Sequence, residues 1–343
     1  MISTRFLENI DVYVGIDVSK DWLDIYLRPL HVWIQCDNNS SGFKDLDEWL
    51  RSHGAEPSET VICMENTGIY DDRLLKALTE YGWICAVEKT NVLKTITPNH
   101  HRKDDRFDAA ALAEYAYRYT DKLTLWDTPD DKVELLRQLY SERRRLITQK
   151  GAVKTKNSQS AQLTIVSSVV KESWHRQLEF YEEQIAQIEA QMHQIVADHP
   201  GLNYYWSLLM EIPGIGKVTT WLWLIKFYGQ EKLNCKKIAS RFGFAPHSNQ
   251  SGTSIRGKTR SSGHGVAQMR QYMSLAAQSA STYYEKFKRY KQRKLEEGKN
   301  WPVVRNNLIN KLIKIICAIW NSGQPFRDDH TSRYDRQKNS ISI

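Results

Sequence analysis

The sequence predicts an α/β N-terminal domain, then a helical coiled-coil arm, then a mainly α-helical C-terminal domain. Three observations lead to this prediction: alternating β-branched segments interleaved with amphipathic ones near the start, a strict heptad seam in the middle, and apolar helical segments around a Pro-Gly-Ile-Gly turn further on. A chain of 343 residues is long enough for two or three domains. We expect domains over 1–125, 126–200 and 201–327, followed by a polar tail over 328–343.

The first domain begins with three predicted strands, because its residues alternate in polarity and many are β-branched. These strands span residues 11–18, 21–28 and 31–36. A helix is predicted from Ser41 to His53, with Ser40 or Ser41 as its N-cap. Its apolar face comprises Phe43, Leu46, Trp49 and Leu50.

The rest of this domain alternates strands and helices. We predict a short buried strand over Thr60–Met64, a helix over Gly68–Tyr81 and a strand over Trp83–Val87. A last helix spans 104–119, and its apolar side comprises Phe107, Leu112, Tyr115 and Ala116. Three strands followed by helix, strand, helix, strand and helix predict a mixed sheet covered by helices.

The middle of the chain is predicted to form a helical arm. Residues 131–165 are basic and helical in pattern. A second segment has apolar residues at alternating spacings of four and three, which is typical of a coiled-coil seam. The seam comprises Trp174, Leu178, Tyr181, Ile185, Ile188, Met192 and Ile195. The seam could pair within the chain or with a second subunit. His199-Pro200-Gly201 ends the arm.

The distribution of charge indicates a polyanionic partner. The net charge is +8, but residues 251–314 hold 14 Lys and Arg against 3 Asp and Glu, a local net charge of +11. The remaining chain is therefore close to −3. Such a basic region is typical of nucleic-acid binding, and a solvated basic surface is the alternative explanation.

The cytoplasm is the location expected from the sequence. No apolar run is long enough to span a membrane, so no membrane partner is expected. The first residues lack the apolar core of a signal peptide. The five cysteines follow no paired pattern, which favours a reducing compartment and argues against a zinc site.

Four carboxylates stand where strand ends and one helix can bring them together. Asp17 ends the first strand, Glu65 directly follows the fourth, and Asp105 and Asp108 share one helical face. Clustered carboxylates repel one another unless a cation lies between them, and their hard oxygen atoms favour Mg²⁺ or Mn²⁺. Each acid alone has a structural explanation, as a turn residue or as an acid favoured by a helix dipole. Their joint placement is what indicates a metal site.

Residues 211–218, Glu-Ile-Pro-Gly-Ile-Gly-Lys-Val, predict a helix-hairpin-helix motif. Gly214 and Gly216 permit a tight turn, and the next helix directs its first backbone N–H groups at a phosphate. Lys217 adds a positive charge. A turn without any ligand is the alternative. Trp221, Trp223 and Phe227 are expected in the core.

Residues 243–260 contain several hydroxyl groups beside Arg256, Lys258 and Arg260. A serine that attacks a phosphate needs cations for the charge that develops on the phosphoryl oxygens. We therefore expect an exposed, glycine-flanked loop that could present a nucleophile. An ordinary polar loop is the alternative.

These motifs resemble the DEDD-type transposases of insertion-sequence family 110, which include Piv-type DNA invertases. The matching segments are G-I-D-V-S-K at 15–20, I-C-M-E-N-T-G-I-Y at 62–70, K-D-D-R-F-D-A at 103–109 and S-G-T-S-I-R-G at 251–257. The resemblance implies an RNase H-like (RuvC-like) first domain and a C-terminal transposase domain. It also implies metal ligation by Asp17, Glu65, Asp105 and Asp108, and a nucleophilic Ser251, with Ser254 as the alternate.

Three positions depart from the family pattern. Asn66 stands where the family has Ala, and Asp104 where it has Thr, so an extra carboxylate adjoins the predicted ligands. Gly263 stands where the family often has Lys, and His264 or Arg270 could replace that cation. The residues expected to contact nucleic acid are Lys103, Gly214, Gly216, Lys217, Arg256, Lys258, Arg260 and Arg270.

The resemblance further implies strand cleavage and exchange on double-stranded donor and target DNA through a 5′-phosphoserine intermediate. It implies a homo-oligomer, a tetramer built as a dimer of dimers, acting at the bacterial nucleoid with a structured guide RNA. Segments 137–156 and 286–314 are candidate RNA or DNA surfaces. Three alternatives stay open: a Piv-like invertase without a guide, a RuvC-like junction nuclease that uses water, and a non-catalytic nucleic-acid-binding protein.

Overall fold

The computed structural model describes residues 9–89, 105–247, 250–251, 255–256, 260–261 and 265–328. The chain divides into two compact units between Pro129 and Asp130. The first unit contains a sheet and three described helices, and the second is mainly helical. The long helices that form the predicted arm belong to the second unit.

A mixed five-stranded sheet forms the first unit, as the sequence predicts. Its strands are β1 (Val12–Val18), β2 (Trp22–Arg28), β3 (Val32–Asp37), β4 (Thr60–Glu65) and β5 (Ile84–Glu88). The spatial order is β3-β2-β1-β4-β5, so β1 lies at the centre. The contacts β1–β2 and β2–β3 are antiparallel, whereas β1–β4 and β4–β5 are parallel. The carboxyl ends of the parallel strands β1, β4 and β5 therefore lie at the same edge of the sheet.

Helices cover both faces of this sheet. Helices α1 (Ser40–Ser52) and α2 (Asp72–Glu80) share one core with the side chains of Val14, Ile16 and Leu23. Helix α3 (Asp105–Arg118) packs on the opposite face, against Tyr13 and Cys63. Successive strand residues point to opposite faces, which explains why the two cores divide the strands in this way.

Two local predictions in this unit are wrong. The N-cap of α1 is Asn39, neither Ser40 nor Ser41, because its Oδ1 accepts hydrogen bonds from the N–H groups of Ser41 (2.9 Å) and Gly42 (3.1 Å). Phe107 does not belong to the apolar side of α3, since it is 61% exposed. It stands two residues before the buried Ala109, and two residues turn a helix by about 200°.

The arm is a hairpin of two long helices, α4 (Asp131–Ser160) and α5 (Ser168–Asp198). In the structure, α4 and α5 pair with each other within one chain. Arg143 Nε lies 2.6 Å from Glu189 Oε1, and Lys150 Nζ lies 2.8 Å from Glu182 Oε1. The second pair is further along α4 but earlier along α5, so the two helices run antiparallel.

The described residues of the second unit form six further helices: α6 (Pro200–Met210), α7 (Lys217–Phe227), α8 (Cys235–Arg241), α9 (Ala267–Tyr283), α10 (Glu285–Glu296) and α11 (Trp301–Ser322). The prediction that Trp221, Trp223 and Phe227 belong to the core is confirmed, because all three are buried. The residues that the structure describes between α8 and α9 include four two-residue strands. Over the described residues, no helix has the length and apolar character that a membrane crossing requires.

Candidate active site

Strand register brings Asp17 and Glu65 to the same edge of the sheet. Gly15 pairs with Cys63 and Ile16 with Met64, so the next step of this parallel register sets Asp17 beside Glu65. Neighbouring strands lie about 4.8 Å apart, and paired residues point to the same face. Both side chains are partly buried. The sequence-based expectation that these two acids stand at adjoining strand ends agrees with this register.

Two further acids lie in the same row and were missed by the sequence analysis. Asp24 on β2 pairs with Asp17, and Glu88 on β5 pairs with Glu65. Each is only 4% exposed. Gln35 Nε2 donates to Asp24 Oδ1 at 3.1 Å, and the Thr124 N–H donates to Glu88 Oε1 at 2.7 Å. The sequence contained one indication that Glu88 belongs to this row: like Glu65, it directly follows a predicted strand.

Helix α3 lies very close to β1 on the face that bears these acids. A Cβ atom on Gly15 would lie 1.9 Å from the carbonyl oxygen of Ala109 and 2.5 Å from the nitrogen of Ala113. Earlier on β1, the ring of Tyr13 contacts that of Tyr117, with centroids 5.3 Å apart. Helix α3 therefore runs antiparallel to β1, and this close approach requires glycine at position 15.

The same geometry sets the first turn of α3 near Asp17. Asp17 lies two residues beyond Gly15, about 6.6 Å of strand, which corresponds to about four residues of helix. Counting back from Ala109 gives Asp105, the first residue of α3. The side chain of Asp105 lies outside the described part of the structure, as do Lys103 and Asp104. Asp108 is exposed in the same first turn.

A cation–π contact attaches this first turn to the sheet. The guanidinium carbon of Arg106 lies 3.7 Å from the centroid of the Trp33 ring on β3. Such contacts contribute about 0.5–2 kcal/mol, depending on how far the cation is desolvated. Arg106 and Trp33 therefore help to hold the segment between Asp105 and Asp108 over the acidic edge.

The donor atoms at this edge suit a hard divalent cation. Among the side chains that the structure describes, no three His, Cys, Asp or Glu residues come close enough to ligate one ion. The set of metal ligands expected from the sequence also includes Asp105, whose side chain is outside the described part of the structure. Carboxylate oxygens match Mg²⁺ or Mn²⁺. Burial, and secondarily the charge of Glu88, raise the pKa of the neighbouring Cys63 thiol.

The described residues around Ser251 form two short antiparallel strand pairs, which together we call the Ser251 hairpin. Its outer strands, β6 (Pro246–His247) and β9 (Arg260–Ser261), pair antiparallel, as do its inner strands, β7 (Gln250–Ser251) and β8 (Ile255–Arg256). Ser251 pairs with Ile255, so three residues separate the inner strands.

The Ser251 hairpin belongs to the second unit. The side chains of Ser251, Arg256 and Arg260 lie outside the described part, as do residues Ser254, Lys258, Gly263 and His264. Arg270 is described, and it is partly buried near the start of α9. The acids and the serine thus belong to different compact units.

A tight turn joins α6 and α7 at the residues for which the sequence predicts a helix-hairpin-helix. The Ile215 N–H donates to the Ile212 carbonyl at 3.0 Å, which closes the turn. Gly214 has a φ of +81°, and a Cβ there would lie 2.3 Å from the Ala276 carbonyl oxygen of α9. Packing therefore explains Gly214. Gly216 and Lys217 are exposed at the start of α7, where a phosphate could approach.

Comparison with known proteins gives consistent matches along the chain. A family model for DEDD-type transposases of the IS110 family, described as "Transposase", matches residues 14–167. A second model, described as "Transposase IS116/IS110/IS902 family", matches residues 206–292. The pilin gene-inverting protein of Moraxella lacunata is 28% identical over 331 residues, which cover 92% of this chain and 97% of the relative. The pilin gene-inverting protein of Moraxella bovis matches with the same identity and coverage.

Proposed function

This chain belongs to the DEDD-type transposases of insertion-sequence family 110, and from that premise we propose a site-specific recombinase that joins an acidic metal site to a serine nucleophile. It is an enzyme of DNA strand cleavage and exchange. The proposal concerns how the strands are cut. Asp17, Glu65, Asp105 and Asp108 bind the metal, within a fold of the RuvC-like type.

One observation supports this proposal above all. The strand register sets Asp17, Glu65 and Glu88 in one row, and the close contact at Gly15 brings the first turn of α3 over that row. Carboxylates in such a row repel one another, which raises the free energy of the folded state unless a cation is bound. The arrangement is therefore more easily explained by metal binding than by stability.

The proposed cleavage step is an in-line displacement at phosphorus. The Oγ of Ser251 loses its proton and forms a bond to the scissile phosphorus. The bond from phosphorus to the 3′ oxygen breaks, and that oxygen takes up a proton and leaves as a free 3′-OH. The product is a 5′-phosphoserine ester, which conserves the phosphodiester for rejoining without ATP.

The residues divide this chemistry between the two units. A bound Mg²⁺ or Mn²⁺ ion would supply positive charge to the phosphoryl oxygens. Arg256, Lys258 and Arg260 follow Ser251 closely in the sequence and would add positive charge beside it. Gly216 and Lys217 hold the duplex through its phosphates without selecting a sequence.

The test is to trap the covalent intermediate on DNA that flanks the gene. Wild-type protein with Mg²⁺ should give an adduct that survives denaturing electrophoresis, and Ser251→Ala should give none. Ser254→Ala is the matched control and should keep the adduct. Loss of the adduct in Ser254→Ala alone would move the nucleophile to that residue. Cleavage by wild type and Ser251→Ala alike, without an adduct, would instead establish the nuclease that uses water.

DNA inversion is the second candidate, favoured by the match to pilin gene-inverting proteins over 92% of the chain. Inversion and insertion share the chemistry above and differ in the arrangement of the two sites. A plasmid that bears both flanking segments, in direct and in inverted orientation, distinguishes inversion from excision by the size of the restriction fragments.

We also propose that a structured guide RNA selects the sites. Support comes from the exposed cations Arg144, Lys154 and Lys156 on α4, in the basic segment 137–156. Ribonuclease treatment of the purified protein should abolish recombination, and added transcript from the flanking DNA should restore it. Full recombination by ribonuclease-treated protein would exclude the guide and favour an invertase that acts alone.

A further inference from the structure

A pocket at the base of the Ser251 hairpin has the composition of an anion site. It has a volume of about 350 Å³ and lies between the beginnings of α9 and α11. Two guanidinium groups, from Arg270 and Arg305, line it together with Ser261 of the hairpin. None of the described residues that line it is acidic. This composition favours a ligand with negative charge.

Both helices line the pocket with residues from their N-terminal halves. Pro302 lies in the first turn of α11, and Gln271 is the fifth residue of α9. Guanidinium groups bind phosphate oxygens through charge-assisted hydrogen bonds, so two arginines suit the pocket to a phosphate group better than to a neutral ligand.

The wall of the pocket is held in place before any ligand arrives. Asn306 Nδ2 donates to the carbonyl oxygen of Phe244 at 3.1 Å, and Asn310 Nδ2 donates to the same oxygen at 3.2 Å. These bonds attach the segment that leads into the hairpin to α11. A site built on fixed helices loses less entropy when it binds a ligand than a flexible loop does.

We propose that this pocket binds a backbone phosphate of the DNA duplex that the Ser251 hairpin contacts. The inference rests on the proposed function, because the hairpin identifies the partner as DNA. Ser251 is five residues after Pro246 at the base of the hairpin, so their Cα atoms lie at most about 18 Å apart. That distance is no more than about half of one turn of B-DNA, so a single duplex can reach both places. The pocket sets the position of the scissile strand along the hairpin.

The experiment measures binding of the full chain to a fluorescent duplex of arbitrary sequence, about 30 base pairs long, at several KCl concentrations. Arg305→Gln should bind about tenfold more weakly at low salt, because one charged phosphate contact is lost. The slope of log affinity against log salt should become less negative by about one. Lys236→Gln, which removes one exposed charge of the same unit outside the pocket, should keep the slope.

Two further variants test whether weaker DNA binding comes from the lost charge or from a destabilised fold. Arg305→Lys keeps the charge and should retain most of the salt slope. If Arg305→Gln melts at a lower temperature than wild type, Arg270→Gln serves as the second variant, with the same expected loss. Unchanged affinity and slope in both glutamine variants would overturn the proposal. A loss seen with an RNA duplex of the same sequence but not with DNA would overturn it too.

This measurement is independent of the trapping experiment. It needs no cleavage, because it measures binding to a duplex of arbitrary sequence alone. If no adduct forms but Arg305→Gln still weakens DNA binding, the proposed function is wrong and the phosphate site remains. If the adduct forms normally but neither arginine variant changes DNA binding, the phosphate site is wrong and the proposed function remains.

Discussion

At the scale of single residues, we expect Glu65 to lower the stability of the fold and Gly15 to be required for it. Glu65 stands between Asp17 and Glu88 in the register of the sheet, so its charge is repelled from both sides. Gly15 permits the contact between β1 and α3 that brings the acids together. A residue kept for catalysis should be removable without loss of the fold, whereas a residue that permits packing should not be.

For Glu65→Gln, we expect DNA cleavage in Mg²⁺ to fall at least about 100-fold, the size typical of losing one electrostatic group at a reacting centre. The melting temperature should stay the same or rise, because one repelling charge is removed. Asp105→Ala should behave in the same way. Glu59→Gln, an exposed acid just before β4, is the control for both measurements. An active Glu65→Gln protein would contradict the metal-site assignment.

Gly15→Ala should destabilise the first unit by about 3 kcal/mol, because the new methyl group overlaps the backbone of α3 and neither element can yield cheaply. Guanidinium denaturation measures the change. Gly151→Ala is the matched control, since no atom lies within 4 Å of a Cβ at that position in α4. Alanine is the better helix former, so the control should gain about 0.5–1 kcal/mol. Equal stability of wild type and Gly15→Ala would mean that α3 sits further from the sheet.

At the scale of elements, the arm is held by two ion pairs in different surroundings. The side chain of Arg143 is only 10% exposed in its pair with Glu189. Lys150 and Glu182 pair further from the core of the unit, where Glu182 is 63% exposed. Burial decides the worth of each pair, because a charge left without its partner costs far more inside the protein than in water.

Glu189→Ala should therefore lower the free energy of unfolding by about 2 kcal/mol, because Arg143 remains buried without its anion. Glu182→Ala, on the same helix, should leave stability unchanged within error, since its partner is returned to solvent. Chemical denaturation of both variants checks the difference. Equal losses would show that the arm responds to its net charge rather than to burial.

At the scale of the whole molecule, the acids and Ser251 are separated between two compact units. As part of the proposed function, we propose that the acids of one subunit and the serine of another act at one phosphate. Under that arrangement each composite site needs one intact acidic unit and one intact serine, and these can come from different copies of the chain.

Mixing Glu65→Gln with Ser251→Ala should therefore restore part of the cleavage that neither variant shows alone. Mixed oligomers contain some sites with both groups intact, whereas a site formed within one chain is always defective in one of them. Adduct formation on flanking DNA measures the recovery. A double variant with both substitutions, mixed with wild type, controls for simple dilution. No recovery after co-expression would indicate that both groups act from the same chain.

Much of the first unit follows from local sequence pattern alone. Strand polarity alternates over five to seven residues, so the order of strands and helices and the position of Asp17 and Glu65 at strand ends are predictable. The buried tryptophans of α7 follow from apolar periodicity. The helix-hairpin-helix follows from its glycines and proline, because turns depend on residues next to one another.

The sequence by itself determined which elements form, where acids end the strands and which family the motifs resemble. Only the tertiary structure decided which residues of distant segments contact each other. Pairing between strands placed Asp24 and Glu88 in the acidic row. Phe107 is exposed because a different side of α3 packs on the sheet. Arg305 of α11 lines the same pocket as Ser261 of the hairpin. Periodicity records the burial of a residue along its own element, whereas contacts between elements depend on register and helix rotation, which no local pattern specifies.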